Sequence, residues 1–425
     1  MIIDKVVEKY VSRARQLRIL LVTSLEWMLV AAGVMVLSLT LPSILKELPG
    51  AAELKGTIAS SVFMGMLVGA LSSGFISDIF GRKVGNIMFL VLAGLFSGLT
   101  GASSDGTNFI INRFLAGVGY GGLLPVVNAY LTEFTAIKIR GLYLTLLEAS
   151  WAIGSILLGV YTILTLGVFG WRASYYLLTL VSLPLLAVVS LLPESPKFAY
   201  MRGGRRALEK ALGTKIDEKV EMHKIKKVPF LEILSKRFAP RTLMVWFSWF
   251  TVSFIYYGLF IWAPKIFRSK GIAPGNALMY TFFMLMMQLP GYLLAAYLIE
   301  RIGRKKSIMF FFSGTAVSAL LLAAVNSQGM LLFSSVVMSV FCLGAWGMVY
   351  AYTPELYPTE MRGLGNGSAG VMARIAGIIA PYYTAFMMDK TGSITWVMIP
   401  MSLLAITTVI LNATFGIETR GKPVE

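Results

Sequence analysis

Four ionisable residues, Glu26, Arg113, Glu148 and Arg374, lie inside stretches of sequence that are otherwise apolar. An Asp, Lys or Arg at the centre of a lipid-spanning helix costs roughly 2.5–3.5 kcal/mol on insertion scales, and Glu is similar in kind. The set holds two acids and two bases, which suggests pairing. A carboxylate whose basic partner comes and goes has its proton affinity moved across the working pH, as proton coupling requires. Glu26, Arg113 and Glu148 are therefore candidate proton-coupling residues, with static ion pairs that only fix helix packing as the alternative. Arg374 suits a different task. A planar guanidinium near a bilayer midplane holds a carboxylate bidentately, and Tyr256, Tyr257, Trp262 and Trp346 are aromatic side chains that can wall a flat ring. The competing reading pairs Arg374 with Glu148 or with a backbone carbonyl.

The elements that must position these residues are legible in composition. Hydrophobic residues make up 56% of the 425-residue chain and charged residues 14%, with a mean hydropathy of +0.74, beyond the range of soluble domains. Twelve apolar runs of about 20 residues occur, near 18–41, 56–77, 85–103, 107–131, 142–168, 173–192, 241–264, 274–299, 307–326, 329–353, 364–388 and 393–416. Lipid offers backbone groups no water partner, so the runs are read as helices, and the strict alternation of a membrane barrel is absent. At about 1.5 Å per residue, Glu26 and Glu148 fall roughly 9–12 Å from one end of their helices, Arg374 about 15 Å along its own, and Arg113 about 9 Å from the opposite face.

Two motifs recur at one offset. Asp78-Ile-Phe-Gly-Arg-Lys83 returns as Glu300-Arg-Ile-Gly-Arg-Lys305, and Tyr130 with Glu133 and Arg140-Gly141 returns as Tyr352 with Glu355 and Arg362-Gly363. Each second copy lies 222 residues after the first. A shared register of this kind implies duplication, which in a membrane protein is a transporter signature. The expected organisation is an amphipathic N-terminal segment at 1–17, a six-helix bundle at 18–196, a basic linker at 197–240, a second six-helix bundle at 241–416 and a tail at 417–425.

The 38 Lys and Arg residues concentrate in the loops that share a side with the N-terminus, above all in 197–240, so both termini are expected in the cytoplasm. The formal net charge of +17 then reports topology and contact with anionic headgroups, and no nucleic-acid partner is expected. Segment 1–17 alternates basic and apolar residues at helical spacing and is read as a short helix lying on the membrane surface. Gly203-Gly204, the helix-forming run after it and Pro229 predict one or two short helices in the linker. His223 is read as a solvated loop residue, because no Cys, His or carboxylate cluster accompanies it; no metal or cofactor is expected. Cys342 is the single cysteine and forms no intrachain disulfide. No phosphate-cradling Gly-x-x-x-x-Gly-Lys-Ser/Thr loop is present.

Gly74 through Lys83, with its copy at 300–305, resembles the loop 2–3 signature of the major facilitator superfamily. Arg113-Phe-Leu-Ala-Gly-Val-Gly119 resembles the fourth-helix motif of its proton-coupled members. Pro193-Glu194-Ser-Pro-Lys197 and Glu418-Thr-Arg-Gly-Lys422 resemble the half-ending motifs of its sugar porters. Finer matches resemble the niacin-type, synaptic vesicle glycoprotein 2-like and organic ion transporters: Leu124-Pro-Val126, Leu147-Glu148-Ala-Ser-Trp151, Tyr256-Tyr-Gly258 with Trp262-Ala-Pro264, Gly344-Ala-Trp346-Gly347, Tyr352-Thr-Pro-Glu355-Leu-Tyr-Pro-Thr359, and Arg374 with Pro381. One departure stands out. The niacin-type first helix usually carries two aspartates shortly after a tryptophan, whereas Val30 and Gly33 follow Trp27 here and Glu26 is the only acid in the helix.

The resemblance implies an all-α membrane protein of twelve transmembrane helices in two pseudo-symmetric six-helix bundles. It implies two cytoplasmic gate networks, Asp78, Arg82, Glu133, Arg140 and Glu194 in the first half and Glu300, Arg304, Glu355, Arg362 and Glu418 in the second. It also implies a monomeric secondary transporter of the cell membrane, moving a small organic solute, chiefly an organic anion such as a nicotinate-like carboxylate, with protons by alternating access. A sugar or polyol symporter, a drug/proton antiporter and a non-transporting receptor of the same fold are the alternatives. A hexose is disfavoured because 246–264 holds no Gln or Asn to partner sugar hydroxyls. No enzyme constellation is present.

Overall fold

The computed structural model describes residues 3–218, 220, 228–325, 327–358 and 360–420, and every regular element among them is helical. In chain order these are α1 Ile3–Tyr10, α2 Arg13–Glu47, α3 Lys55–Phe80, α4 Arg82–Gly101, α5 Gly106–Phe134, α6 Ile137–Phe169, α7 Arg172–Leu191 and α8 Pro196–Leu212. There follow α9 Ala239–Phe260, α10 Ala263–Ser269, α11 Pro274–Met286, α12 Gln288–Arg301, α13 Arg304–Ala324, α14 Gln328–Tyr352, α15 Arg362–Thr391 and α16 Thr395–Phe415. Among the described residues, twelve spans are long and apolar enough to cross a membrane, matching the twelve apolar runs, with α11 and α12 forming one span interrupted at Met287. The chain is an integral membrane protein. Large apolar side chains such as Leu164, Val168, Leu180 and Leu191 are exposed along α6 and α7, as helices facing hydrocarbon require.

The chain divides into two compact units, Met1–Val36 with Ser61–Lys224, and Leu37–Ser60 with Ile225–Glu425. In the first, α4 packs along α5 and α7, and small residues also let the backbones of α3 and α5 meet. A Cβ added at Gly65 would stand 1.9 Å from the Phe114 carbonyl oxygen, and one at Gly117 would stand 2.2 Å from that of Val62. In the second, α9 lies along α15, and α13 along α16.

The N-terminal segment departs from expectation. α1 is amphipathic, but its apolar side does not lie on lipid: Ile3, Val6, Val7 and Val11 are buried against Leu208, Leu212 and Ile216 at the end of α8. Charge completes the seat. Asp4 pairs with Arg140 at 2.9 Å and with Lys197 at 3.6 Å, Glu8 with Lys138 at 3.5 Å, and Lys9 with Glu218, which also accepts from the Tyr10 hydroxyl at 2.8 Å. An apolar stripe needs only an apolar partner, and the linker helix supplies one inside the same unit. The linker itself contains α8, bent at Gly204 (φ +62°), and a 3₁₀ turn at Phe230–Leu234, consistent with the short helices expected there. His223, Thr359 and Lys422 lie outside the described residues.

Candidate functional site

The first unit holds two buried polar centres on α2, and they are separate. Arg113, on α5 and 1% exposed, donates from Nη1 to the Gly33 carbonyl at 2.6 Å and from Nη2 to that of Val34 at 3.3 Å. Its guanidinium carbon lies 5.7 Å from the centre of the Tyr175 ring, within cation–π range. The same glycine makes room for Tyr120, since a Cβ at Gly33 would fall 2.1 Å from Tyr120 Cζ. The place where related first helices usually carry an acid is thus occupied by backbone carbonyls that accept from the arginine. Glu26 is elsewhere. Fully buried, it accepts from Asn86 Nδ2 on α4 at 3.3 Å through Oε2, and its Oε1 has no hydrogen-bond partner. Glu26 and Arg113 therefore do not pair with each other: an amide meets the acid and carbonyls meet the base. Glu148 is half-buried on α6.

In the second unit an aromatic cluster forms from α9 and α14. Tyr256 and Tyr257 meet Trp346 edge to face, with centroids 6.2 and 6.3 Å away, and Trp249 and Tyr350 extend the cluster at 5.7 Å from Trp346. Trp346 Nε1 is buried without a hydrogen-bond partner. Trp262 stands apart. It precedes α10 and gives its N–H to the Pro381 carbonyl at 2.9 Å, a packing contact between α9–α10 and the proline in α15.

Arg374 lies on α15, 7% exposed, and its Nε has no hydrogen-bond partner among the described residues. α9 and α15 run parallel, because Trp246 Nε1 donates to Ser368 Oγ at 2.9 Å while Gly258 faces Ala380 and Thr384. That register sets Arg374 at the depth of about residues 248–252 on α9, given the common rise per residue. Trp249 is at this depth, and the Trp346 ring reaches from Trp249 to Tyr256. Arg374 therefore shares its level with Trp249, and the cluster extends from there through Trp346 to Tyr256 and Tyr257, roughly 6–14 Å further along α9. The unpartnered Ser253 hydroxyl oxygen is at nearly the same level.

Two amides escaped a reading confined to ionisable groups. Asn86 holds Glu26, and Gln288 donates to the Tyr256 hydroxyl at 3.2 Å. Both interrupt apolar runs, and that polarity is the signal by which they could have been found.

The duplicated motifs build the same joint twice. Arg82 pairs with Asp78 at 2.7 Å and Glu133 at 3.2 Å; Arg304 pairs with Glu300 at 3.3 Å and Glu355 at 3.0 Å. Glu194 accepts from the Lys83 backbone N–H at 3.1 Å, and Glu418 from those of Arg304 and Lys305 at 2.9 and 3.2 Å, so each carboxylate seats on the start of a helix where free N–H groups point. Burial acts to raise the Glu418 carboxyl, and the backbone N–H groups of Arg420, Arg304, Lys305 and Thr419 outweigh it, leaving it below the ordinary carboxylate range. Arg140 and Arg362 donate to the carbonyls of Thr135 and Tyr357, five residues back in each case, rather than to the half-ending glutamates.

The sugar (and other) transporter family model matches residues 7–425. The chain is 31% identical to the niacin transporter NiaP of Acinetobacter baylyi over 96% of its own length and 95% of that protein's. It is 28% identical to the synaptic vesicle 2-related protein of Xenopus laevis, over 96% of this chain and 80% of the other. In fold it is similar to the partially occluded, inward-open structure of the xylose transporter XylE from E. coli, with a TM-score of 0.78 at 18% identity, covering 96% of this chain and 99% of that one.

Proposed function

This chain belongs to the sugar (and other) transporter family of the major facilitator superfamily, and from that premise we propose that it moves a small organic anion, a nicotinate-like or other aromatic carboxylate, together with protons by alternating access. Arg374 carries the reading. Its buried guanidinium has an uncommitted Nε at the depth of Trp249, the near end of an aromatic cluster whose Trp346 N–H is likewise uncommitted. A flat carboxylate supplies an acceptor for the fork and a ring for the edges of Tyr256, Tyr257 and Trp346. Similarity to a niacin transporter supports the same class of solute. A sugar would need several free amides, whereas Gln288 is bonded to Tyr256 and Asn412 donates to Ser248 Oγ at 3.0 Å. The mirrored charge clusters would act as gates on the cytoplasmic side of the cell membrane, where both termini would lie.

Calorimetric titration of the purified protein with nicotinate, nicotinamide and a hexose tests the substrate class. Nicotinate should bind most tightly, and Arg374→Lys should weaken it by about tenfold or more because the bidentate fork is lost. Amide or hexose bound as tightly as the acid would sink the anion reading. A carboxylate that binds without flux in proteoliposomes would make the protein a receptor instead.

A further inference from the structure

Glu26 and Asn86 leave two buried atoms unmatched, and the two are chemical complements. The Asn86 amide donates from Nδ2 to Glu26 Oε2 at 3.3 Å, while Glu26 Oε1 and Asn86 Oδ1 have no hydrogen-bond partner. Both side chains are essentially inaccessible, at 0% and 1% exposure. With the carboxyl ionised, both orphan atoms are acceptors and neither can satisfy the other. One proton changes that. Added at Oε1, it converts the acid into a donor toward the oxygen of the same amide whose nitrogen already reaches Oε2. A planar carboxylic acid and a planar amide then close a ring of two hydrogen bonds, and no buried polar atom of the pair is left over.

We propose that Glu26 and Asn86 together form a proton-binding site, in which the carboxyl takes one proton from water at Oε1 and donates it to Asn86 Oδ1, and returns it to water when the pair separates. Glu26 is the proton acceptor and Asn86 the positioning residue. The charged and titratable groups nearest the pair come from α4, α5, α2 and α6, and Arg82, one turn before Asn86 on α4, is paired with Asp78 and Glu133. On α5, Tyr130 is near enough to feel the charge on Glu26, but its hydroxyl is donated to the Pro193 carbonyl at 2.6 Å. Arg113 is held seven residues further along α2, about 10 Å away by helical rise. α6 crosses α2 where Gly154 meets Met28, with Glu148 six residues before the crossing on α6 and Glu26 two residues before it on α2. The site's place in transport rests on the proton-coupled reading above; its existence does not.

Infrared spectroscopy of the purified full chain tests the site directly. The unaltered protein should display the carbonyl stretch of a protonated carboxyl at neutral pH, Glu26→Gln should remove it, and Asn86→Leu should move it to higher wavenumber through lost hydrogen bonding. Glutamine at 26 reproduces the neutral acid's donor, so Glu26→Gln should match or exceed the unaltered protein in thermal stability while Glu26→Ala falls below it. A band that survives Glu26→Gln, or Glu26→Gln as unstable as Glu26→Ala, overturns the site; Asn86→Leu decides the matter alone if the Glu26 variants cannot be purified. In proteoliposomes, Glu26→Gln should lose carboxylate accumulation driven by an imposed proton gradient and keep carboxylate counterflow. Undiminished accumulation overturns its coupling role. Absence of any carboxylate transport by the unaltered protein overturns the substrate reading instead, and the infrared bands then decide by themselves whether the pair binds a proton.

Discussion

The motif joints of the two repeats can be laid over one another residue by residue. Arg82 and Arg304 each clasp an acid one turn back and another at the far end of the next span, and the N-cap glycines before them, Gly81 and Gly303, take φ of +103° and +89°. Tyr130 and Tyr352 each donate to a carbonyl just before the half-ending glutamate, that of Pro193 and that of Ile417. The difference is an addition. In the first repeat Arg140 also pairs with Asp4 of α1, while Arg362 keeps only the carbonyl contact that both arginines share, among the described residues. The joint occurs twice, and the N-terminal helix is fastened to one copy of it.

The largest effect should come from the glycines. A Cβ at Gly81 would stand 2.2 Å from Glu194 Oε2 and one at Gly303 would stand 2.4 Å from Glu418 Oε2, on backbones in the left-handed half of conformational space. Gly81→Ala and Gly303→Ala should each cost about 1–3 kcal/mol, read as a fall in thermal midpoint. Equal losses would sharpen the equivalence of the joints, and a loss in only one would break it.

Next come the arginines. Arg304 reaches Glu355 from both Nε and Nη2, whereas Arg82 reaches Glu133 from Nε alone. Arg304→Lys should therefore destabilise more than Arg82→Lys, by about 1 kcal/mol at most for such partly solvated pairs. Identical midpoints for the two variants would contradict the observed difference in their forks.

The fastening of α1 should depend on pH. Burial acts to raise the Asp4 carboxyl, and Arg140 with Lys197 outweighs it, holding it below the usual carboxylate range. Its folded pKa is thus lower than its unfolded one, so the stabilisation is complete above the unfolded value and disappears as pH falls through the folded value. Hydrogen-exchange protection across residues 3–10, measured against the intrinsic exchange rate at each pH, should fall in acid, and Asp4→Asn should abolish that pH dependence while leaving the second repeat unchanged. Protection that is flat with pH in the unaltered protein would remove Asp4 from the contact.

Smallest in stability are Asp78→Asn and Glu300→Gln, because these carboxylates are 68% and 70% exposed. Each should change folding by well under about 1 kcal/mol, yet if the joints act as gates each should shift the inter-half distances measured by spin labels and slow uptake more than it weakens binding. Unmoved distances in both variants would confine the joints to packing.

What the chain's order of residues determined by itself is local or periodic. Twelve apolar runs became twelve spans because hydrocarbon forces any run of that length to close its own backbone hydrogen bonds. The 222-residue register foretold two like joints, since equal motifs at equal places fold alike. Partner choice was another matter. That Glu26 would meet Asn86, sixty residues on, and that Arg113 would spend itself on the carbonyls beside Gly33, depends on the rotation and depth of helices against one another. The stripe on α1 was plain, but a stripe specifies only that something apolar will cover it, and packing chose α8 over lipid. Spacing along one helix is set by covalent geometry, whereas contacts between helices are settled only when close packing selects one arrangement for all of them.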